Sequence, residues 1–379
     1  MTKIIGQVIL KIPLLLITIL AFFLQKEADA QGCSDAGVCS FGMHEMNTEG
    51  DFNPSMKIGL TTGYGIADGG VNIITPGLRF GVNPIEGLSF IASIPYVLAT
   101  VGEIELAGGG LIDGETTSGI GDLMFGATVN LYNNSEKIDN VPLYGGSRSK
   151  TDRTQGLDFF LGARIATGDT DIRSSNSNSS SFALPMPFQT GLGTNDLLAR
   201  IDYRYESWSF SLGGQFPFGK IDNRFANYHD FSKDGISPSL RTQGEINAGF
   251  ANFWSSSNQQ RGADIMLRID KNFAIDSYTL SAGVLPIYRI ARSKFEIFNG
   301  STGTDENGEK VWEVPSGNYE FVDSQGLTLN ITGGLELPLS DNLSFSSNIG
   351  FPVMVRAARP DGTTRAFQLN LSIDWKIGL

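Results

Sequence analysis

The sequence predicts an all-β fold: a transmembrane, antiparallel, up-and-down β-barrel of about 12 strands, within a range of roughly 10–14. Three observations predict it. Apolar and polar side chains alternate through most of the chain, short and long connections alternate, and no long uncharged apolar run follows residue 24. Period-two alternation indicates strands. A membrane protein without spanning helices must close its strands into a barrel, because lipid cannot satisfy open strand edges.

The last strand shows the alternation most clearly. From 367 to 379 the odd positions are apolar, including Trp375 and Leu379, and most of the even positions are polar. Similar runs predict strands near 55–67, 71–83, 88–101, 119–132, 156–168, 194–206, 208–219, 262–271, 278–290, 326–338, 343–356 and 365–379. Aromatic residues fall near both predicted rims: Tyr205, Trp208, Tyr278 and Trp375 at one, and Tyr64, Tyr96, Phe218 and Tyr288 at the other.

The connections separate a membrane barrel from a soluble sandwich. Tight connections at 84–87, 207, 272–277 and 339–342 alternate with long polar ones at 102–118, 169–193, 220–261 and 291–325. Short turns at one end and long loops at the other are typical of transmembrane barrels. The long connection 133–155 breaks this rule, so either an excursion lies there or the assumed register is wrong.

The first thirty residues have the pattern of an export signal. Lys3 and Lys11 precede an apolar stretch at 12–24, and Ala28-Asp29-Ala30 follows. This pattern predicts a signal peptide over 1–30, since the apolar stretch is shorter than the ~20 residues of a membrane helix. We therefore expect an N-terminal periplasmic segment at 31–54 and a barrel at 55–379, in the outer membrane of a Gram-negative bacterium.

The only two cysteines, Cys33 and Cys39, lie in the predicted periplasmic segment. In an oxidising compartment they are predicted to form a local disulfide. The alternative is metal or redox chemistry, but only His44 lies nearby, which falls short of a zinc set. We predict no metal site and no cofactor.

The face opposite the lipid-facing one is predicted to line the lumen. Its charges are nearly balanced, which favours an interior network of cross-strand ion pairs over a single-sign selectivity filter, the alternative. The predicted polar lining is Lys57, Arg79, Asp122, Asp158, Arg164, Arg200, Asp202, Arg204, Asp264, Arg268, Asp270, Glu336, Asp374 and Lys376.

Some inward positions are apolar, and they form a candidate patch for a hydrophobic solute. The equal alternative is that these residues pack a filled barrel or contact loops that fold inward. The patch consists of Ile91, Met124, Phe160, Leu198, Met266, Leu285 and Ile287. The loop segment 182–188 is also unusually apolar, which suggests that it tucks into the barrel mouth.

Catalysis is not expected. Barrel hydrolases need an acid–base set centred on histidine. The chain has only His44 and His229, and neither accompanies a serine nucleophile motif.

Two short motifs resemble the outer-membrane barrel family labelled meta-pathway of phenol degradation, often called transporters. The first is Thr117-Ser118-Gly119-Ile120-Gly121-Asp122-Leu123, and the second is Leu184-Pro185 followed by Gly191-Leu192-Gly193-Thr194-Asn195-Asp196. The segment 31–39 is similar to members from Bacteroidota. The resemblance covers 55–379 and implies a barrel that passes aromatic or other hydrophobic small molecules, with no defined catalytic residues. Asp122 is expected to face a partner such as an arginine.

These observations predict a channel or transporter for small solutes, hydrophobic or aromatic ones among them, by passive passage. The alternative is a structural or surface-interaction barrel with a closed lumen and partner-binding outer loops. Expected partners are outer-membrane lipid and lipopolysaccharide, the barrel assembly machinery and a small-molecule solute. The net charge of −12 argues against a nucleic acid.

Overall fold

The computed structural model describes most of the predicted barrel. The described residues are 54–67, 71–100, 103–106, 110–136, 153–173, 184, 186–219, 223–228, 253–275, 277–297, 301–304, 310–314, 317–320, 324–356 and 365–378. The predicted signal peptide, both cysteines and both histidines lie outside them.

The described residues form strands and one short 3₁₀ helix, Met186–Phe188. The strands are β1 (Ser55–Ala67), β2 (Val71–Ile85), β3 (Leu88–Thr100), β4 (Glu103–Leu106), β5 (Gly110–Asp113), β6 (Thr116–Ile120), β7 (Leu123–Glu136), β8 (Arg153–Ile165), β9 (Asn195–Tyr205), β10 (Trp208–Phe218), β11 (Arg224–Tyr228), β12 (Phe253–Gln260), β13 (Asp264–Ile275), β14 (Tyr278–Arg289), β15 (Lys294–Ile297), β16 (Ser301–Thr304), β17 (Lys310–Val314), β18 (Gly317–Glu320), β19 (Gly326–Ser340), β20 (Leu343–Met354) and β21 (Arg365–Gly378).

The predicted twelve-stranded closed barrel is confirmed. Its wall runs in the order β1, β2, β3, β6 with β7, β8, β9, β10, β13, β14, β19, β20 and β21, with every neighbouring pair antiparallel. β6 and β7 count as one wall strand, because β3 pairs with β7 up to Ser93 and with β6 from Tyr96 onward. β21 returns to β1, with Lys376 opposite Lys57, so the wall has no unpaired edge.

The two ends of the barrel differ. At one, which we call the turn end, residues 86–87, 206–207 and 341–342 make tight turns. β1 also begins at this end, and β21 ends there. At the other, the loop end, the connections are long. They carry a four-stranded sheet in the order β11, β12, β15 and β18 and the pairs β4–β5 and β16–β17. The sequence did not predict these short strands, because they lie in polar stretches without sustained alternation.

The connection that broke the expected loop rule is shorter than predicted. β7 and β8 pair as far as Glu136 opposite Arg153, with a register shift between Asn130 and Tyr132. The assumed register of the two strands was therefore right. Only 137–152 remain between them, outside the described residues.

Large apolar side chains point outward around the wall. A soluble protein rarely exposes so continuous an apolar surface. The exposed residues in the body of the wall include Leu60, Phe125, Leu161, Leu212, Ile331 and Ile373. Tyr205, Trp208 and Trp375 are exposed near the turn end, and Tyr96, Phe218 and Tyr288 near the loop end. An apolar band between two aromatic girdles is the exterior of a transmembrane barrel. Among the described residues, no helix is long and apolar enough to cross a membrane.

Candidate functional site

Side chains that alternate with the exposed apolar ones fill the barrel interior in successive rows. Along a strand, inward residues are two positions apart and so rise by about 6–7 Å per row. On β9, for example, Asp196, Leu198, Arg200 and Asp202 are buried in turn. The rows define three levels between the turn end and the loop end.

The first level is a polar cavity of about 500 Å³ near the turn end. Serine, threonine and asparagine side chains make up much of its wall. Its charged lining consists of Lys57, Arg79, Arg268, Asp270, Glu336, Asp341, Asp374 and Lys376, all but Asp341 predicted from the sequence. Such a lining holds water and small polar solutes.

Ion pairs lie among the inward side chains, and two of them, Arg79 with Asp374 and Arg268 with Asp270, border this cavity. Arg79 of β2 contacts Asp374 of β21 at 2.5 Å, and Arg204 contacts Asp158 at 2.9 Å. Other pairs lie along one strand, two residues apart. The Nε atoms of Arg200 and Arg268 donate to Asp202 at 2.8 Å and to Asp270 at 2.6 Å. The sequence predicted an interior ion-pair network, but it had not predicted same-strand pairs.

The second level is an apolar layer. All seven predicted apolar inward residues are buried, but they form two clusters on different parts of the wall rather than one patch. One cluster contains Ile91, Met124, Phe160 and Leu198, and the other contains Met266, Leu285 and Ile287. The Arg200 guanidinium lies 5.2 Å from the centroid of the Phe160 ring, which joins the first cluster to the charged rows below it.

The third level, which we call the loop-end charge cluster, lies one row beyond the apolar layer. Arg289 donates to both carboxylate oxygens of Asp264, at 2.8 and 2.9 Å, and both side chains are fully buried. Arg164 pairs with Asp196, which also accepts a bond from Gln215 at 2.9 Å. Two further arginines reach the cluster from outside the wall strands, Arg261 before β13 and Arg356 after β20.

Sequence reasoning missed four members of this cluster: Asp196, Arg261, Arg289 and Arg356. Asp196 and Arg289 lie in phase with the inward residues Leu198 and Ile287, so the alternation could have found them. No local pattern marks the other two, because they turn inward from connections.

Arg261 differs from the other charges. Its side chain is 2% exposed, and its Nη2 lies 3.8 Å from Asp196 and its Nε 3.9 Å from Asp264. Burial lowers the pKa of Arg261, and the two aspartates oppose that shift only in part. A guanidinium nevertheless stays protonated in proteins, so Arg261 is a buried cation.

Two described residues of the loop segment predicted to tuck into the mouth, Leu184 and Phe188, lie against the inner wall. Leu184 and Phe188 are almost fully buried and pack with Val71, Ile73 and Ala99 of β2 and β3. The Thr117 hydroxyl donates to the carbonyl of Phe188 at 2.7 Å, and Gln189 bonds back to Leu184. We call the described residues of 184–190 the plug segment.

Among the described residues, the partners of Asp122 are backbone amides and not the arginine that the sequence led us to expect. The Asp122 carboxylate accepts backbone N–H bonds from Thr167 and Gly168 at 3.2 Å and from Leu192 at 3.0 Å. Gly121 and Gly191 leave room for this approach, because a Cβ on either would press on neighbouring atoms. The two motifs behind the resemblance therefore contact one another and hold the loop that carries the plug segment.

The sequence also led to predictions about the two cysteines and about metal binding. The disulfide between Cys33 and Cys39 lies outside the described residues and stays a prediction. In the described part of the chain, no three His, Cys, Asp or Glu side chains are grouped as metal ligands would be.

Comparison with known proteins gives only distant likenesses. No family model matches the chain, and no curated protein matches it, so the family suggested by the two motifs stays a prediction. Among solved structures, an outer membrane channel from Pseudomonas putida F1 is 11% identical, covering 88% of this chain and 100% of that one, with a TM-score of 0.44. The Pseudomonas putida toluene transporter TodX is 8% identical, covering 92% and 95%, with a TM-score of 0.40. The outer membrane phospholipase A from Escherichia coli is 9% identical, covering 90% and 97%, with a TM-score of 0.28. Likenesses this distant carry no inference about a solute or a reaction.

Proposed function

We propose that this chain is an outer-membrane channel of a Gram-negative bacterium. Small solutes, hydrophobic or aromatic ones among them, pass through it passively when the plug segment moves. The observation that carries this proposal is the polar cavity of about 500 Å³ inside a closed barrel whose outer face is apolar. A barrel that served only as a structural element would have no need of a polar interior chamber.

The layers above the cavity support a gated passage rather than an open pore. The apolar layer lies between the cavity and the loop end, and apolar constrictions control channels by excluding water. The plug segment is held at the loop end by a few contacts, chiefly those of Leu184 and Phe188 with β2 and β3. Loosening those contacts is expected to open the barrel without unfolding its wall.

A second candidate is a closed barrel whose loops bind a partner. It is favoured by the tight filling of the loop-end half, where Asp264 and Arg289 are fully buried. The four-stranded sheet of β11, β12, β15 and β18 also gives the loop end an ordered surface. In this alternative the cavity at the turn end is a dead end.

Recordings in planar bilayers separate the two candidates. We expect low conductance from the natural chain and clearly higher conductance when Leu184→Asn and Phe188→Asn are combined, because two buried apolar contacts of the plug segment are lost. Met186→Asn is the matched control, since Met186 lies in the same segment but outside its buried cluster. Uptake of phenol into liposomes is measured in parallel. No conductance and no uptake in any variant would eliminate the channel and leave the closed barrel.

A further inference from the structure

The loop-end charge cluster contains one cation whose hydrogen-bonding capacity is unused. None of the three guanidinium nitrogens of Arg261 makes a hydrogen bond, although the side chain is fully enclosed. Buried polar groups are almost always bonded, and leaving a charged one unbonded is costly. An enclosed guanidinium with this deficit requires acceptor atoms.

The nearby carboxylates do not supply them. Asp196 and Asp264 lie 3.8 and 3.9 Å from Arg261, roughly 1 Å beyond the usual N–H···O distance. Asp264 is already engaged at shorter range by Arg289 through both oxygens, whereas Asp196 accepts from Arg164 and Gln215 through Oδ2 alone and its Oδ1, the oxygen nearest Arg261, makes no hydrogen bond. Rotating Asp264 toward Arg261 would break one of its bonds to Arg289, and Asp196 stays outside hydrogen-bond range at 3.8 Å.

The surroundings favour a negative ligand. Among the described residues, Arg261, Arg164, Arg289 and Arg356 face Asp196 and Asp264, and repulsion from Arg164 and Arg289 lowers the pKa of Arg261 further. Arg164, Arg289 and Arg356 have additional interactions, so the deficit belongs to Arg261 itself. The Arg164 side chain is 20% exposed, which gives the cluster an accessible side.

We infer that Arg261 is the anchor of an anion site that binds a small oxyanion, such as the carboxylate of a small organic acid. The planar guanidinium presents paired N–H groups that match two carboxylate oxygens, a geometry that an ammonium group does not offer. Leu198 and Met266 of the apolar layer lie one row away on the same strands as Asp196 and Asp264. The carboxylate of a small organic acid therefore binds Arg261, and its short apolar part contacts Leu198 and Met266.

The inference deepens the proposed channel function by naming a solute class, but its test does not require passage. Thermal unfolding of the folded barrel in neutral detergent is measured with sodium acetate, benzoate or phosphate against sodium chloride at equal ionic strength. We expect acetate and benzoate to raise the Tm of the natural chain, because a ligand that binds only the folded state stabilises it. A Tm that rises as much when the concentration of sodium chloride is raised would mean a general ionic effect and overturn the site.

Two substitutions sharpen the result. Arg261→Met removes the cation while keeping its length. Its Tm in chloride serves as its own reference, because the change also removes the attraction of Arg261 to Asp196 and Asp264. The acetate and benzoate shifts should vanish. Arg173→Met, the same change in an exposed loop pair, should keep the full shifts.

Arg261→Lys tests whether the planar guanidinium is needed, and it replaces Arg261→Met as the test if that variant fails to fold. Lysine keeps the positive charge but lacks the paired N–H groups. We expect acetate to bind about tenfold more weakly or worse, the effect of losing one charge-assisted hydrogen bond. Undiminished binding by the lysine variant would overturn the role of the guanidinium. If neither acetate nor benzoate raised the Tm of the natural chain, water alone would satisfy Arg261 and the anion site would be overturned. The channel proposal would then still be decided by its own conductance test.

Discussion

Arg79 on β2 and Asp374 on β21 form an ion pair at 2.5 Å although β1 lies between their two strands. They meet over Gly59, which is opposite Arg79 on one side and opposite Asp374 on the other. A Cβ at Gly59 would collide with the Asp374 carboxylate and touch Arg79. The absent side chain therefore permits a pair that borders the polar cavity and ties together the two sides of the barrel closure.

Gly59→Ala is predicted to weaken this closure. The added methyl group must displace Asp374, and overpacking of this kind costs about 1–3 kcal/mol. The measurement is the free energy of unfolding in urea, starting from protein folded in lipid vesicles. Gly378→Ala is the matched control, because nothing lies within 4 Å of a Cβ at Gly378. Similar losses in both variants would show that the contact over Gly59 is unimportant.

Asp264→Ala is predicted to be strongly destabilising. It would leave the fully buried Arg289 without its bidentate partner, and breaking a buried pair from one side costs about 3–5 kcal/mol. The matched control is Asp171→Ala, which breaks an exposed pair with Arg173 and should cost less than about 1 kcal/mol. Both are measured by the same urea unfolding. A small loss for Asp264→Ala would indicate that water reaches the loop-end charge cluster.

Leu212→Arg tests whether the exposed apolar face lies in lipid. Leu212 points outward from the middle of β10 and is 53% exposed. An arginine there should cost about 2–4 kcal/mol in a bilayer, because its charge enters hydrocarbon. It should cost almost nothing if that face meets water. Ser344→Arg, which adds the same side chain to the polar cavity, is the control. An unchanged unfolding free energy for Leu212→Arg would contradict the membrane placement.

Asp122→Asn is predicted to loosen the loop that carries the plug segment. The carboxylate accepts three backbone N–H bonds, and the neutral amide accepts them less well, which should cost about 1–3 kcal/mol locally. We expect faster limited proteolysis between 166 and 192 and more frequent opening in bilayer recordings. Asp171→Asn lies in the same loop and is the control. Identical digestion of both variants would show that Asp122 does not hold the loop.

Much of the wall could be predicted because its signal is local. The strands predicted near 55–67, 88–101, 208–219 and 278–290 differ from β1, β3, β10 and β14 by no more than one residue at each boundary. The burial of the apolar inward residues was also predictable, since a side chain's face follows from its position in the alternation. Pairing partners were not predictable in the same way: Arg200 and Arg268 bond along their own strands, and Arg79 bonds across an intervening one.

The sequence by itself determined the wall strands, their approximate number, the two unlike ends and the face on which each wall residue lies. Period-two alternation and connection length encode these properties over a few neighbouring residues. Only the tertiary structure decided which charges meet, because that depends on barrel closure and on how far connections fold back. Leu184 and Phe188 return to the inner wall, and Arg261 and Arg356 turn into the loop-end charge cluster. These contacts join residues far apart in the chain, and burial in the closed interior is what gives them their energetic weight.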